Sequence, residues 1–403
     1  MHILSSHNRS EFLACPQLVR FDYVNGSNSY EPTLLVKGST LLLKYIVLGV
    51  RLQLVFSRVD EYLIYGLRVF DDPEKGALLW SVCERQEEIS AIVAIARGEA
   101  CQIFLFNELA VNTAWREISG VVQGQTLEHL VADAKTTNVD YSTFKYRAAR
   151  TLEAIHQNLA ADNILIFDIG GLNDWKPVHN HYITNRAVAN SLDLFDKDEG
   201  RQQEHLGIWL TDSLHPRGAH HSLQIPNGNR RRELTDIVLS HKHGSIFVES
   251  KALSIFVRDK LPNRTKLAKD MSSHIEKAVS QLRGGIRKVK AGTPITDTKG
   301  NPVEIERTQP IHAIVLIPDL DLVEDRENYG LQYIHNFMKD TGGFLHLLDI
   351  AELLRMVQAA EMIAARGTGT TPIMAFDYYL LERTKMSLKQ ENLCFGMLLR
   401  FQD

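Results

Sequence analysis

A chain of 403 residues with 44% hydrophobic and 23% charged content has the makings of a globular protein of two or three domains with a sizeable core. The longest apolar stretch, residues 41–56, is broken by Lys44 and Arg51, which argues against a bilayer span and for strands. Four scattered cysteines (Cys15, Cys83, Cys101, Cys394) form no Cys-x-x-Cys pair, so neither a zinc ribbon nor a disulfide scaffold is expected. The first residues lack a basic segment followed by a long apolar run, and the expected location is the cytoplasm. The net charge of -4 is unevenly spread: residues 230–290 hold 15 Lys or Arg against 6 Asp or Glu, a surplus of +9 that leaves -13 for the remainder.

Along the chain, residues 1–190 read as a mixed α/β domain. Strand-like runs fall at 41–56 and 101–106, and helix-like runs at 84–97 and 146–159. The polar run from Asp196 opens a helix to about Leu214, with Leu206, Trp209, Leu210 and Leu214 as its apolar stripe. A Gly/His/Pro-rich turn at 215–221 follows. Next come a short strand at 222–225, a turn at 226–229 and a strand at 233–240; then a loop, His241-Lys-His-Gly244, leads into a strand at 245–251. A helix over about 265–288 carries Met271, Ile275, Ala278 and Leu282 on one face, and residues 312–318 form a continuous apolar run suited to a buried strand. The tail from 328 reads as largely helical, clearest at 347–365 and 376–389. The expected fold class is α/β (α+β), in three parts: 1–190, a core at 191–325, and a mostly helical extension at 326–403 packed on that core.

Chemistry concentrates on the hairpin. If Ser240 pairs with Ser245, Asp236 stands opposite Glu249 and Leu234 opposite Lys251, while strand alternation puts Glu249 and Lys251 on one face. Ile237, Leu239, Ile246 and Val248 then form the apolar face. Two carboxylates and a lysine on a half-buried sheet are costly unless something binds there, and magnesium, or manganese in its place, is the natural guest. A metal held by Asp236 and Glu249 would polarise a phosphate oxygen and acidify bound water, with Lys251 orienting or deprotonating that water.

On these residues the chain resembles the PD-(D/E)XK, or restriction-endonuclease-like, nuclease superfamily over about residues 197–320. Thr235-Asp236 stands where the family has Pro-Asp, and Glu249-Ser250-Lys251 is the E-x-K element. The resemblance implies a helix-strand-strand-strand-helix-strand core, a further metal-binding glutamate at Glu204 and a supporting Gln281. It departs at Gly285, where one subgroup carries an aromatic. It also implies nuclease activity with DNA as the first substrate, a role in restriction or phage defence, and a dimer for duplex cutting. The N-terminal region would recognise a target or regulate. The alternative is an inactive nuclease-like fold that binds nucleic acid or serves assembly. Arg230, Arg231, Arg232, Arg258, Lys260, Arg264, Lys266, Lys269, Arg283, Arg287, Lys288 and Lys290 surround the motif and suit phosphate-backbone binding.

Three weaker signals are set aside. Residues 163–171 end in Asp168-Ile-Gly-Gly, like an actin-type ATPase turn, but lack the following hydroxyl residue; an ATP-using protein is therefore a third hypothesis, behind a plain turn. His215, His220, His221, His241 and His243 lack the spacing of a zinc site and read as loop histidines. The Gly-rich residues 366–371 and the Gly342-Gly343 pair read as linkers.

Overall fold

The computed structural model describes residues 4–25, 30–72, 76–118, 125–132, 134–136, 141–157, 164–170, 173–183, 189–215, 218–258, 260–366 and 369–397. It is a mixed α/β protein of two compact units: Met1–Asn180 with Asp193–Phe195, and His181–Leu192 with Asp196–Asp403. Residues 196–403 all fall within the second unit. Among the described residues no helix is long and apolar enough to cross a membrane.

The first unit holds one five-stranded and one four-stranded sheet. The 41–56 run is not two strands: Thr40–Val47 is a helix and only Leu52–Val59 is a strand. Ser39 caps the helix, its side chain accepting from the Leu42 N–H at 3.2 Å, and Gly49 at φ 88° turns the chain out of it. A short run that is apolar but for Lys44 shows little period, so a buried helix and a buried strand look alike in sequence. The helices Gln86–Ala96 and Tyr141–His156 and the strand Cys101–Phe106 lie where periodicity put them. Asp168 ends the strand Ile164–Asp168, its carboxylate bound by Arg51 Nε at 2.7 Å and Gln53 Nε2 at 3.2 Å. Asn163, Gly171 and Leu172 lie outside the described residues.

The second unit is built on a five-stranded sheet, ordered Ala219–His221, Ile237–His241, Gly244–Ser250, His312–Ile317, Phe344–Asp349. The first three strands run antiparallel and the last two join in parallel. Parallel strands need long crossovers, which the helices Arg264–Lys290 and Leu331–Thr341 supply. The tail is therefore not only helical: Phe344–Asp349 is a strand, and Gly342, at φ 61°, is the left-handed C-cap that turns the chain into it rather than a linker. Residues 367 and 368 of the other Gly-rich run lie outside the described set, and Thr371 caps the helix Pro372–Gln390.

Helix Glu199–Asp212 lies against the sheet at Gly207, where an added Cβ would sit 3.2 Å from Leu316 and 3.3 Å from Ile237. Of its expected stripe, Leu206, Leu210 and Leu214 are buried, whereas Trp209 is half-buried against Tyr182, with ring centroids 5.2 Å apart. On Arg264–Lys290, Met271, Ile275, Ala278 and Leu282 are all buried.

Candidate metal centre and nucleic-acid face

The hairpin forms in the register the sequence suggests: Ser240 pairs with Ser245, Leu239 with Ile246 and Ile237 with Val248. Its loop is tighter than four residues, because His241 and Gly244 are themselves paired. The hairpin is also more buried than an amphipathic pattern implies. Val238 and Phe247 are as inaccessible as Ile237, Leu239, Ile246 and Val248, because the Gly244–Ser250 strand is central, with a parallel neighbour beside it. The polar groups meet only at its end.

There the ladder stops and side chains take over. Asp236 lies one residue before the Ile237–His241 strand, and its Oδ2 accepts the Ser250 N–H at 2.6 Å, standing in for a backbone carbonyl. Leu234 does not face Lys251: its N–H goes to the Leu223 carbonyl, and the Lys251 N–H to that of Leu316. Glu249, 3% exposed, is held from two sides. Lys251 Nζ lies 2.7 Å from its Oε1, and Thr235 Oγ1 is 3.0 Å from its Oε2 and 2.7 Å from the Val248 carbonyl oxygen. Thr235, where the resembled family has proline, thus supplies a hydroxyl that proline could not.

The electrostatics are those of crowded negative charge. Burial first, and the nearby Glu249 second, push the Asp236 carboxyl up to about 7, against the pull of the Ser250 N–H and Lys251. Glu204 is raised by burial, then by Glu233 and Glu249, with Lys251 opposing. The expected helix glutamate therefore lies within the field of the hairpin carboxylates, although no hydrogen bond joins it to them. The other anchor from this helix is Gln203, which the sequence reading missed. Its Nε2 lies 3.1 Å from Ser250 Oγ, 3.2 Å from the Lys251 carbonyl and 3.2 Å from that of Leu316, stitching the two parallel strands where Lys251 departs. A polar residue one position from the expected Glu204 was the available signal.

Gln281 is exposed and has no hydrogen bond to Asp236, Glu249 or Lys251 among the described residues. From the same helix it is His274 whose ring lies in the field of Lys251 and bonds the Ala252 backbone; burial lowers its pKa. Gly285 is where the backbone comes close, since a Cβ there would meet Leu234 at 3.1–3.2 Å, and an aromatic side chain would force Leu234 to move.

The basic residues divide into two sets. Arg258 is paired with Asp270 at 2.9 Å, Arg283 and Arg287 with Asp340 at 3.9 and 3.6 Å, and Arg264 donates to the Asp321 carbonyl at 2.7 Å. Lys288 and Lys290 reach the carbonyls of Pro226 and Gly342 at 3.4 and 3.3 Å. Arg230, Arg231, Lys260, Lys266 and Lys269 are exposed, and Arg232 is half-buried. None of these six has an acidic partner among the described residues.

Do these residues fit a divalent cation? Among the described residues no three His, Cys, Asp or Glu side chains close on one point as a complete cage. Magnesium does not require one: it takes one or two carboxylates and fills its octahedron with water and substrate oxygens. Asp236 and Glu249 are hard oxygen donors, and the raised Asp236 carboxyl marks a place where added positive charge is favourable, so the donor set fits. The histidines sort differently. His241 Nε2 and His312 Nε2 each lie 3.6 Å from Asp377 Oδ1, and His312 Nδ1 lies 2.9 Å from His346 Nε2, a row at the opposite end of the central strands. Of the five histidines weighed in the sequence only His241 belongs to it. The chain matches no protein-family model, no curated protein and no solved structure.

Proposed function

We propose that the second unit is a divalent-metal-dependent nuclease with a restriction-endonuclease-like core, cutting phosphodiester bonds in DNA. What carries this reading is the meeting of Asp236, Glu249 and Lys251 at one hairpin end, with Asp236 fixed by the Ser250 N–H and Lys251 by Glu249. Magnesium or manganese, held by Asp236 and Glu249 with Glu204 beside them, would supply Lewis acidity at the scissile phosphate and at a water. Lys251 then orients that water, or takes its proton, and offsets charge developing on the phosphorus oxygens. Gln203 holds the backbone from which Lys251 projects.

A nuclease of this kind with a separate N-terminal unit suits a restriction or phage-defence role in the cytoplasm, the first unit selecting the target or restraining the cut. One centre cleaves one strand, so duplex cutting calls for a homodimer or repeated nicking.

A second reading has one observation in its favour: Glu249 already has Lys251 and Thr235 as partners, which is how a structural carboxylate in an inactive, nucleic-acid-binding fold would look. Incubating circular single-stranded DNA, duplex DNA and RNA with the protein, with magnesium or with chelator, separates the two. Cleavage that needs magnesium and is lost in Lys251→Ala supports the nuclease; equal turnover by the variant, or turnover in chelator, removes it.

A further inference from the structure

The hairpin Gln224–Asn227/Arg230–Glu233 forms a two-stranded sheet of its own, with Asn227 paired to Arg230 and Gln224 to Glu233. Its turn is Gly228-Asn229, with Gly228 at φ 60°, where a side chain would be strained. An isolated two-stranded ribbon is marginal in water. This one is anchored at its base by buried Ile225, by two backbone hydrogen bonds between Gln224 and Thr296 at 2.8 and 2.9 Å, and by Lys288 against the Pro226 carbonyl. Residues 226–231 beyond that base are all exposed.

The composition of the tip is informative. Asn227, Asn229, Arg230 and Arg231 point no hydrogen bond or ion pair into the protein among the described residues, whereas Arg258, Arg283 and Arg287 are engaged with aspartates. Arg232, next in line, lies over Gly284 with a buried Nε that has no partner. Arginine and asparagine are the side chains that pair bidentately with guanine and adenine edges, and a two-stranded ribbon fits the major groove of B-form DNA. The deep, narrow major groove of A-form RNA does not admit it. We infer that this ribbon is a base-reading element that enters the major groove of duplex DNA beside the cutting centre. The inference rests on the nuclease reading for what the ribbon delivers, though not for its binding.

The chain also sets a range. Arg230 is six residues from Asp236, and an extended chain spans at most about 20 Å over that length. With the side-chain reach at both ends added, and ~3.4 Å per base pair, the bases read lie within about ten base pairs of the cut.

The test selects sequences bound by the full-length protein from a random duplex DNA library in chelator, where cutting plays no part, and maps cut sites separately in magnesium. Wild type should enrich a short base preference, and the same preference should lie within about ten base pairs of the cuts. Asn227→Ala with Asn229→Ala should flatten that preference about tenfold. Arg230→Ala with Arg231→Ala should lower affinity tenfold or more and reduce the slope of log affinity against log salt by about 2. Uniform enrichment by wild type, a preference unchanged in the asparagine variant, or equal competition by duplex RNA would overturn the ribbon and leave the nuclease reading standing. Binding preference without any cutting would do the reverse.

Discussion

Replacing Asp236 by Asn should make the hairpin more stable and the protein unable to respond to magnesium. Burial and Glu249 raise the Asp236 carboxyl from its ordinary value of 3.8 to about 7. For an acid raised on folding the sign is unfavourable: the folded protein holds its proton more tightly, so stability is greatest at low pH and falls as pH rises through 3.8 towards 7. At about 1.4 kcal/mol per tenfold change in proton affinity, the full shift bounds the penalty near 4 kcal/mol above pH 7, with more than half of it accruing between pH 5 and 8. Because Asp236 is partly open to water, roughly 1 kcal/mol of that difference is the expected reading. The assay is hydrogen exchange of the strand Gly244–Ser250 in chelator, comparing variant with wild type at the same pH. Asp236→Asn should gain protection at pH 8 and little at pH 5. Magnesium at a hundredfold its Kd should stabilise wild type by about 2.7 kcal/mol and leave the variant unmoved. Equal protection of both proteins at pH 5 and pH 8, or an equal response to magnesium, would refute the idea that the carboxylates are held in a charge conflict a cation relieves.

Gln203→Ala frees the Ser250–Lys251 backbone, so kcat on circular DNA should fall tenfold or more while KM changes little and the melting temperature drops by a few degrees, with partial rescue by Gln203→Asn. Gly285→Ala places a Cβ 3.1 Å from Leu234, and thermal melting should show a loss of about 1–2 kcal/mol; Gly285→Phe should not yield folded protein. Burial lowers the His312 pKa to about 4, Asp377 opposing and His241 adding, so His312 stays neutral when folded but takes a proton when unfolded below about pH 6.5. Stability contributed by neutral His312 is therefore complete above that pH and declines by about 2 kcal/mol on going to pH 5. In urea unfolding His312→Gln should flatten that decline, a trend opposite in sign to the one from Asp236. Arg383 and Glu352, 1% and 0% exposed, are 2.8 Å apart; Arg383→Met leaves Glu352 with Arg355 at 2.7 Å but strips the Leu347 and Phe395 carbonyls of their donor, and should cost about 1–3 kcal/mol in melting experiments.

The hairpin register was legible because alternation along a strand and a short loop fix which side chains face each other: pairing Ser240 with Ser245 sets the pairs from Ile237–Val248 to His241–Gly244, though not beyond the strand end at Leu234 and Lys251. The long helix was legible from Met271, Ile275, Ala278 and Leu282 at helical spacing. Legibility failed where local pattern carries no information. Apolar residues 41–47 could be helix or strand, and the Phe344–Asp349 strand hides inside a tail of helical composition because its identity comes from pairing with His312–Ile317, far away in sequence. Gln203 went unseen for a related reason, since its role depends on carbonyls of Lys251 and Leu316 that only the folded sheet brings together. The arginines looked alike in sequence, and it is Asp270, Asp340 and the Asp321 carbonyl, brought up by the fold, that engage Arg258, Arg283, Arg287 and Arg264.

The parallel half of the sheet also sets an order of events during synthesis. Asp236, Glu249 and Lys251 leave the ribosome as one local hairpin, but Glu249 pairs with Val315, and that strand in turn with Phe344–Asp349. Local pairs close quickly and distant ones slowly. A nascent chain ending before residue 312 therefore carries Asp236 in water with the ordinary acidity of an aspartate, and the burial that raises its carboxyl is complete only when the last two strands dock.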